Sequence, residues 1–401
     1  MIGGDGQRGL FFASTWFYLA FGVALSVVGP AFETIRDEFN VSYADLGFSF
    51  TTWGIGFIFG SLVGGTASDR WGRRPTLLVT ATTGALALAW LGASPGFGVF
   101  LVACLFSGMA LGSGDGTVSA LIADAFPQET GRALNLIHMA VALGAILGPA
   151  VVAMALTFFE SWRLAIFSGA FLMATSVVPF ALLRYPARSS EPVAWPEIGR
   201  AMADPVPLSL GIVLAFYVGA EVGFAGFGAA FIEQTFQIER GISAVSISVF
   251  WVGQMVGRVI AARLADYWSA ERMVRWALVS GILVSILCAV GPTLHLVLLG
   301  YLVAGIVLGA VFPTVLGIGF VRRPHITGVV AGVLVAFAGI GSSVFGPAIG
   351  WTTDVLGFRA GMLLIPIVLV GALLVFHVAW RIRPHNNGSG QNEESKRVLS
   401  G

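Results

Sequence analysis

Lysine is almost missing from this 401-residue chain: the only one is Lys396, close to the end. No phosphate-binding loop of the Gly-Lys-Ser/Thr kind can be built, so nucleotide-driven pumping is excluded, and no embedded lysine is available for a Schiff base. Charge of either sign is scarce as well. Asp, Glu, Lys and Arg make up 11% of the residues, against about a quarter in a soluble domain, which is too little to wet the surface of a globular fold. The net charge of +1 speaks against a nucleic-acid binder. Cys104 and Cys288 lie in apolar runs with no second cysteine or histidine at ligand spacing, and no His-Glu-x-x-His occurs. Neither a disulfide framework nor a metal site is expected, and no cofactor is implied. What the chain does have is 56% hydrophobic residues and 53 glycines without a Gly-X-Y period. Glycine inside apolar runs suits helices that pack closely in lipid, so the chain reads as an integral membrane protein.

Crossing the hydrocarbon takes about 20 apolar residues. Runs of that kind fall near 10–31, 44–67, 76–94, 97–121, 133–156 and 163–183, and again near 207–230, 244–265, 274–291, 294–319, 327–350 and 360–380. Short turns such as Ser94-Pro95-Gly96 and Gly291-Pro292-Thr293 separate them, so the spacing predicts twelve transmembrane helices. The first run is longer than the core of a signal peptide and eleven more follow, so it reads as a span. With the N-terminus inside, seventeen of the 22 basic residues fall on the cytoplasmic side; Arg36, Arg163, Arg240 and Arg359 face out and Arg258 sits within a span. That asymmetry predicts a multi-pass protein of the cell membrane with both termini cytoplasmic.

Sliding the sequence on itself by about 197 residues pairs Gly22 with Gly219, Gly56 with Gly253, Gly60 with Gly257, Asp69 with Asp266, Gly108 with Gly305 and Gly112 with Gly309. One residue of drift pairs Trp53 with Trp251 and Gly148-Pro149 with Gly346-Pro347. The expected organisation is an all-α membrane protein of two pseudo-symmetric six-helix bundles, residues 1–184 and 207–382. A Pro-rich cytoplasmic linker over 185–206 joins them, and a polar, disordered tail covers 383–401. Parallel repeats of this kind place a binding site between the halves near mid-membrane, where rocking alternates its access.

Between the second and third spans stands Gly65-Thr66-Ala67-Ser68-Asp69-Arg70-Trp71-Gly72-Arg73-Arg74. It resembles the cytoplasmic signature of the major facilitator superfamily, Gly-x-x-x-Asp-Arg-x-Gly-Arg-Arg/Lys, at every defined position. Gly144 to Pro149 matches a second signature of that family, Gly-x-x-x-Gly-Pro, with Gly144, Gly148 and Pro149 as helix-packing residues and Gly346 and Pro347 as their counterparts. The resemblance implies that Asp69 sits at the cytoplasmic end of the second helix against the N-terminus of the eleventh, where a helix dipole favours a carboxylate. Arg70 and Arg73 can pair with Asp69 or with Asp124, in a cluster completed by Arg74. Such links are expected to hold an outward-open state and to break on opening inward. Asp266 is the second-half counterpart, without the following glycine and basic residues. Tyr217-Val218-Gly219-Ala220-Glu221, Leu134 to His138 with Gly148-Pro149, and Gly257-Arg258 with Leu264-Ala265-Asp266 resemble the fucose-permease-like branch, which includes proton- or sodium-coupled sugar transporters. In the fucose permease a carboxylate on the first helix belongs to the sugar and proton site, whereas here the first span carries none until Glu33 at its outer end.

Ionisable side chains at mid-bilayer usually mark pathways or relays. Glu221 falls near the middle of the seventh span, where desolvation disfavours a charged carboxylate; such a group can load a proton from one side and release it to the other. Asp115, in the fourth span, and Arg258, in the eighth, could bridge the halves as an inner gate or form a static pair. Asn135 and His138 share a face of the fifth helix, and Gln254 stands one turn from Arg258; these three either line a cavity or glue helices. Gly92 to Gly96 fits a nucleophile-elbow pattern but lies in a short loop rather than a strand–turn–helix, and no nucleophile–base pair occurs at depth, so no enzyme is expected. The reading is a secondary active transporter of a small organic solute, working as a monomer in the lipid bilayer with a proton as the coupling ion. Sugar uptake and export of a drug or metabolite against protons are its two directions. A non-transporting membrane sensor is the remote alternative.

Overall fold

The computed structural model describes residues 5–126, 130–185, 203–265, 267–322 and 327–381, with the backbone alone at 5, 130–132, 135 and 327–329. Twelve helices among them are long and apolar enough to cross a membrane. The first six are Gly6–Phe39, Tyr43–Trp71, Arg73–Gly92, Phe97–Ala125, Leu136–Phe159 and Trp162–Leu182. Pro205–Gly226, Arg240–Leu264, Ala270–Val290, Leu294–Arg322, Val330–Leu356 and Phe358–Arg381 follow. The linker expected at 185–206 lies almost wholly outside the described residues, and the tail expected at 383–401 wholly so.

Local chemistry sets the ends of the spans. The first bends through a single turn at Gly29–Ala31, where Pro30 occupies the opening position that needs no donor. It ends at Asn40 in the left-handed region, φ 50°. The second starts on a reciprocal cap: the Ser42 hydroxyl accepts from the Asp45 amide, and the Asp45 carboxylate accepts from the Ser42 amide. Between the second and third spans Gly72 has φ 96°, a conformation that a β-carbon would strain, which explains the glycine of the Asp-Arg-x-Gly-Arg motif.

Helix contacts repeat between the halves. The first span packs on the fifth, the second on the fourth and the third on the sixth; in the second half the seventh packs on the eleventh, the eighth on the tenth and the ninth on the twelfth. The paired glycines of the repeat sit at these crossings. A β-carbon on Gly56 would stand 2.0 Å from the Leu105 carbonyl oxygen, and one on Gly253 2.3 Å from that of Leu302. Gly60 and Gly257 meet Met109 and Ile306 in the same way, at 2.0 and 2.1 Å. With no hydrophobic force between helices in lipid, this backbone-to-backbone approach is what holds each half together. One buried apolar core runs mainly through the first six spans and a second through the last six.

Two seams join the halves, the second span against the eleventh and the fifth against the eighth. Proline shapes both. Pro347, inside the eleventh helix, has no amide to offer the carbonyl four residues back, that of Ser343. That carbonyl accepts instead from the Thr51 hydroxyl at 2.6 Å. At the other seam the Ser248 hydroxyl donates to the carbonyl of Ile146, three residues before Pro149, at 2.7 Å. Thr51 and Ser248 are themselves 197 residues apart, as are Ile146 and Ser343, so the internal repeat extends to the hydrogen bonds between the halves.

Candidate functional site

The seventh span is an α-helix only as far as Glu221. A π-helical turn, Val222–Gly226, follows before the chain resumes at Gly228–Phe236, and such turns are frequent where a helix serves a site. Tyr217, one turn earlier, donates its hydroxyl to Glu221 Oε1 at 2.8 Å, and Gln254 Nε2 on the eighth span donates to the same oxygen at 2.6 Å. Gln254 Nε2 also lies 3.1 Å from the Tyr217 hydroxyl. Tyr217 and Gln254 are fully buried, whereas Glu221 keeps partial access to solvent. Both donors address Oε1, so Oε2 is the oxygen left open to a proton or a cation.

The first half presents a second carboxylate. Tyr18 donates to Asp115 Oδ1 at 2.8 Å and stands 3.1 Å from the Ser119 hydroxyl. The His138 ring lies 4.8 Å from the Tyr18 ring. His138 starts the third turn of the helix Thr130–Phe159 and is exposed, with Asp115 of its own half as a charged neighbour. Arg258 comes from the opposite half, and its charge is within electrostatic reach of both Glu221 and His138. The pairing expected between Asp115 and Arg258 is not made: Asp115 is taken by Tyr18, and among the described residues Arg258 forms no ion pair. Asn135 falls in the fifth helix, but its side chain is outside the described residues.

At the ends of the second and fourth spans Arg73, itself buried, donates Nε to Asp124 at 2.9 Å and Nη1 to Asp69 at 2.8 Å and Ser68 at 2.7 Å. Arg74 donates to the Ala181 carbonyl and Arg70 is exposed. All these bonds lie within the first half, and they stand while the opposite side of the membrane is sealed. The N-terminus of the eleventh span, against which Asp69 is expected to sit, is outside the described side chains. Asp266 lies outside the described residues.

The seal is on the side of the membrane away from the termini. Asp354, near the end of the eleventh span, accepts from the Tyr43 and Ala44 amides at 3.0 and 2.8 Å, so its carboxylate sits on the N-terminus of the second helix in the other half; a helix dipole contributes about 0.3–1 kcal/mol in such a place. Glu33, buried in the same layer, accepts from the Tyr43 hydroxyl at 2.5 Å and from Gln234 at 3.0 Å. Arg240 donates to Glu233 at 3.0 Å and also to Asp37 of the first half.

Burial, then the neighbouring Glu33 charge, pushes the Glu233 carboxyl above the usual carboxylate range. When the seal opens, the group returns to water and its ordinary value of about 4.3. The sealed form therefore binds the proton more tightly, and by linkage acid favours it. Raising the pH from the ordinary value through the elevated one progressively favours opening. Distances between spin labels on the two halves, followed against pH, should show this shift, and Glu233→Gln should flatten it; an unchanged profile in that variant removes Glu233 from the response.

Sequence reasoning did not single out Tyr18 or Tyr217 as site residues. Tyrosine is rare here, six in the chain, and Tyr217 stands one helical turn from Glu221, a spacing that could have marked it. The outer seal had no comparable signal, since Asp354 and Tyr43 are 311 residues apart.

The model of the Major Facilitator Superfamily matches residues 14–345. The Hexuronate transporter of Bacillus subtilis (strain 168) is 27% identical over 398 residues, covering 88% of each chain. Among solved structures, a bacterial homolog to the human lysosomal transporter Spinster, in inward-facing and occupied conformation, superposes with a TM-score of 0.80 at 14% identity, over 94% of this chain and 98% of that one. A D-xylose-proton symporter superposes with a TM-score of 0.79 at 16% identity, over 95% and 98%.

Proposed function

The chain belongs to the major facilitator superfamily, and from that premise we propose that it is a proton-coupled secondary active transporter of a small polar organic solute, taken up by alternating access. The observation that carries this reading is the Glu221 carboxyl. It is held by Tyr217 and Gln254 through one oxygen, open at the other, and set where the α-helix of the seventh span gives way to a π-helical turn. A carboxyl so placed takes up a proton from one side, and the neutral form crosses more readily than the charged one when the halves rock. Polar groups from both halves, His138 and Arg258 among them, supply contacts for a solute rich in hydroxyl or carboxyl groups. The similarity to a hexuronate transporter and to a xylose–proton symporter supports the same class of cargo. The site lies between two halves of one chain, so the working unit is a monomer. The excess of arginine on the terminal side supports an orientation with both termini in the cytoplasm.

Proteoliposomes loaded at neutral pH and diluted into acid medium test the reading. Accumulation of a solute from a panel of sugars, sugar acids and nucleosides, abolished by a protonophore and indifferent to sodium, is the expected result. Extrusion along the same gradient would instead make the protein an antiporter. Ligand binding without flux in either direction would make it a sensor.

A further inference from the structure

The second half carries a positive charge that forms no ion pair among the described residues. Arg258 lies one turn beyond Gln254 on the eighth span, and its Nε is buried without a hydrogen-bond partner. No carboxylate among the described residues comes within ion-pair distance of its guanidinium. Of the carboxylates whose charge shares this region, Asp115 is bonded to Tyr18, and Glu221 is held through Oε1 by Tyr217 and Gln254. A half-buried guanidinium whose Nε has no partner is costly to leave unanswered, and its planar fork matches a carboxylate with two parallel hydrogen bonds. The other groups on the cavity wall, the His138 ring and the Tyr18–Asp115 pair, suit hydroxyls rather than a second positive charge.

Resting on the transport reading above, we propose that the solute is an organic carboxylate, that Arg258 is the residue that binds its carboxyl group, and that competition for Arg258 couples the solute to the proton. When Glu221 holds a proton, the remaining carboxylate, Asp115, is bonded to Tyr18 and the cargo carboxylate takes Arg258. When Glu221 releases the proton, its charge draws Arg258 and the cargo is expelled. Proton and carboxylate then bind together and leave together. Of the other groups near Glu221, His138 alone titrates in the same pH range, and His138→Gln separates its contribution in the test below. Tyr217 precedes it on its own helix, and the fifth span presents His138. The tenth, eleventh and twelfth spans set Phe312, Phe345 and Ile365 against the seventh, with no charge among them.

Matched pairs test the proposal without any variant. Binding of D-glucuronate against D-glucose, gluconate against glucitol, and lactate against propane-1,2-diol is measured on purified full-length protein in nanodiscs at pH 6 and pH 8. At least one acid should bind at least tenfold more tightly than its neutral partner and should lose about tenfold in affinity from pH 6 to pH 8. Arg258→Gln should abolish the preference for the acid and Arg258→Lys restore part of it. Glu221→Gln should keep the preference and lose the pH dependence. His138→Gln should keep both, and loss of the pH dependence there would overturn the coupling through Glu221. Failure of every acid to bind, equal binding of a neutral partner, or full acid preference in Arg258→Gln would overturn the proposal. Proton-driven flux of a neutral solute in the liposome assay would leave the transporter reading standing while this inference falls, so the two fail separately.

Discussion

Glu221→Gln should abolish accumulation driven by a pH gradient, bringing it down to the level of protein-free vesicles, while exchange of labelled for unlabelled solute at equal pH continues. Glutamine keeps the length and the oxygen of the native side chain, so its carbonyl still accepts from Tyr217 and from Gln254, which stand 2.8 and 2.6 Å from the native oxygen. The buried network therefore survives, and the substitution leaves no donor stranded, a defect that alone costs about 1–3 kcal/mol. What disappears is the capacity to take and give a proton. Net proton-coupled movement needs both states of that group, whereas exchange needs only that the loaded protein rock. The separation of the two assays is the informative part. Loss of both would make Glu221 a solute ligand or a structural residue, and retention of gradient-driven accumulation would move the proton site elsewhere, with Asp115 next in line.

How far these residues could be read in advance follows from the range of the interactions involved. The spans were legible because crossing lipid demands a long apolar run, a local property that survives without any knowledge of neighbours. The repeat was legible too, and the structure supplies its cause. Gly56, Gly60, Gly253 and Gly257 recur because each admits a carbonyl of the adjacent helix to about 2 Å from where a β-carbon would stand. Glu221 stood out as an acid where acids are expensive. Its partners did not, because a hydrogen bond from Gln254 spans 33 residues of sequence and one from Tyr18 to Asp115 spans 97. The partner of Asp115 was hidden for the same reason: two opposite charges at similar depth suggest a bridge to Arg258, but in this conformation a tyrosine from the first span reaches the aspartate. The outer seal was the least legible part. Several of its bonds use backbone amides and carbonyls, which nearly every residue possesses, and only the fold decides that Asp354 caps the second helix and that Thr51 answers the carbonyl freed by Pro347.

That seal makes the second large effect. Gly47→Val should leave the fold intact but move the protein out of the sealed conformation, by a factor of about ten to a hundred in population, and arrest transport. A β-carbon on Gly47 would stand 2.6 Å from the backbone of Gly346 and from the Cα of Pro347, on the eleventh span of the other half. Backbone atoms there cannot swing aside as the end of a side chain can. Overpacking of this kind costs about 1–3 kcal/mol, and the cost falls only on the conformation in which the two halves meet, so it appears as a change in the ratio of states. Gly56→Val is the contrasting case on the same helix. Its β-carbon would meet the Leu105 carbonyl within the first half, at 2.0 Å, in every conformation; it should lower the melting temperature and leave the ratio alone. Spin labels on Phe48→Cys and Ile242→Cys, exposed positions on the second and eighth spans, report the outer separation. The native Cys104 and Cys288 are buried and should stay unlabelled. The distance should lengthen in the Gly47 variant and not in the Gly56 variant. Equal distances in the two would mean that the second and eleventh spans can part or slide without passing through an open outer side, and the seam would then be packing rather than a gate.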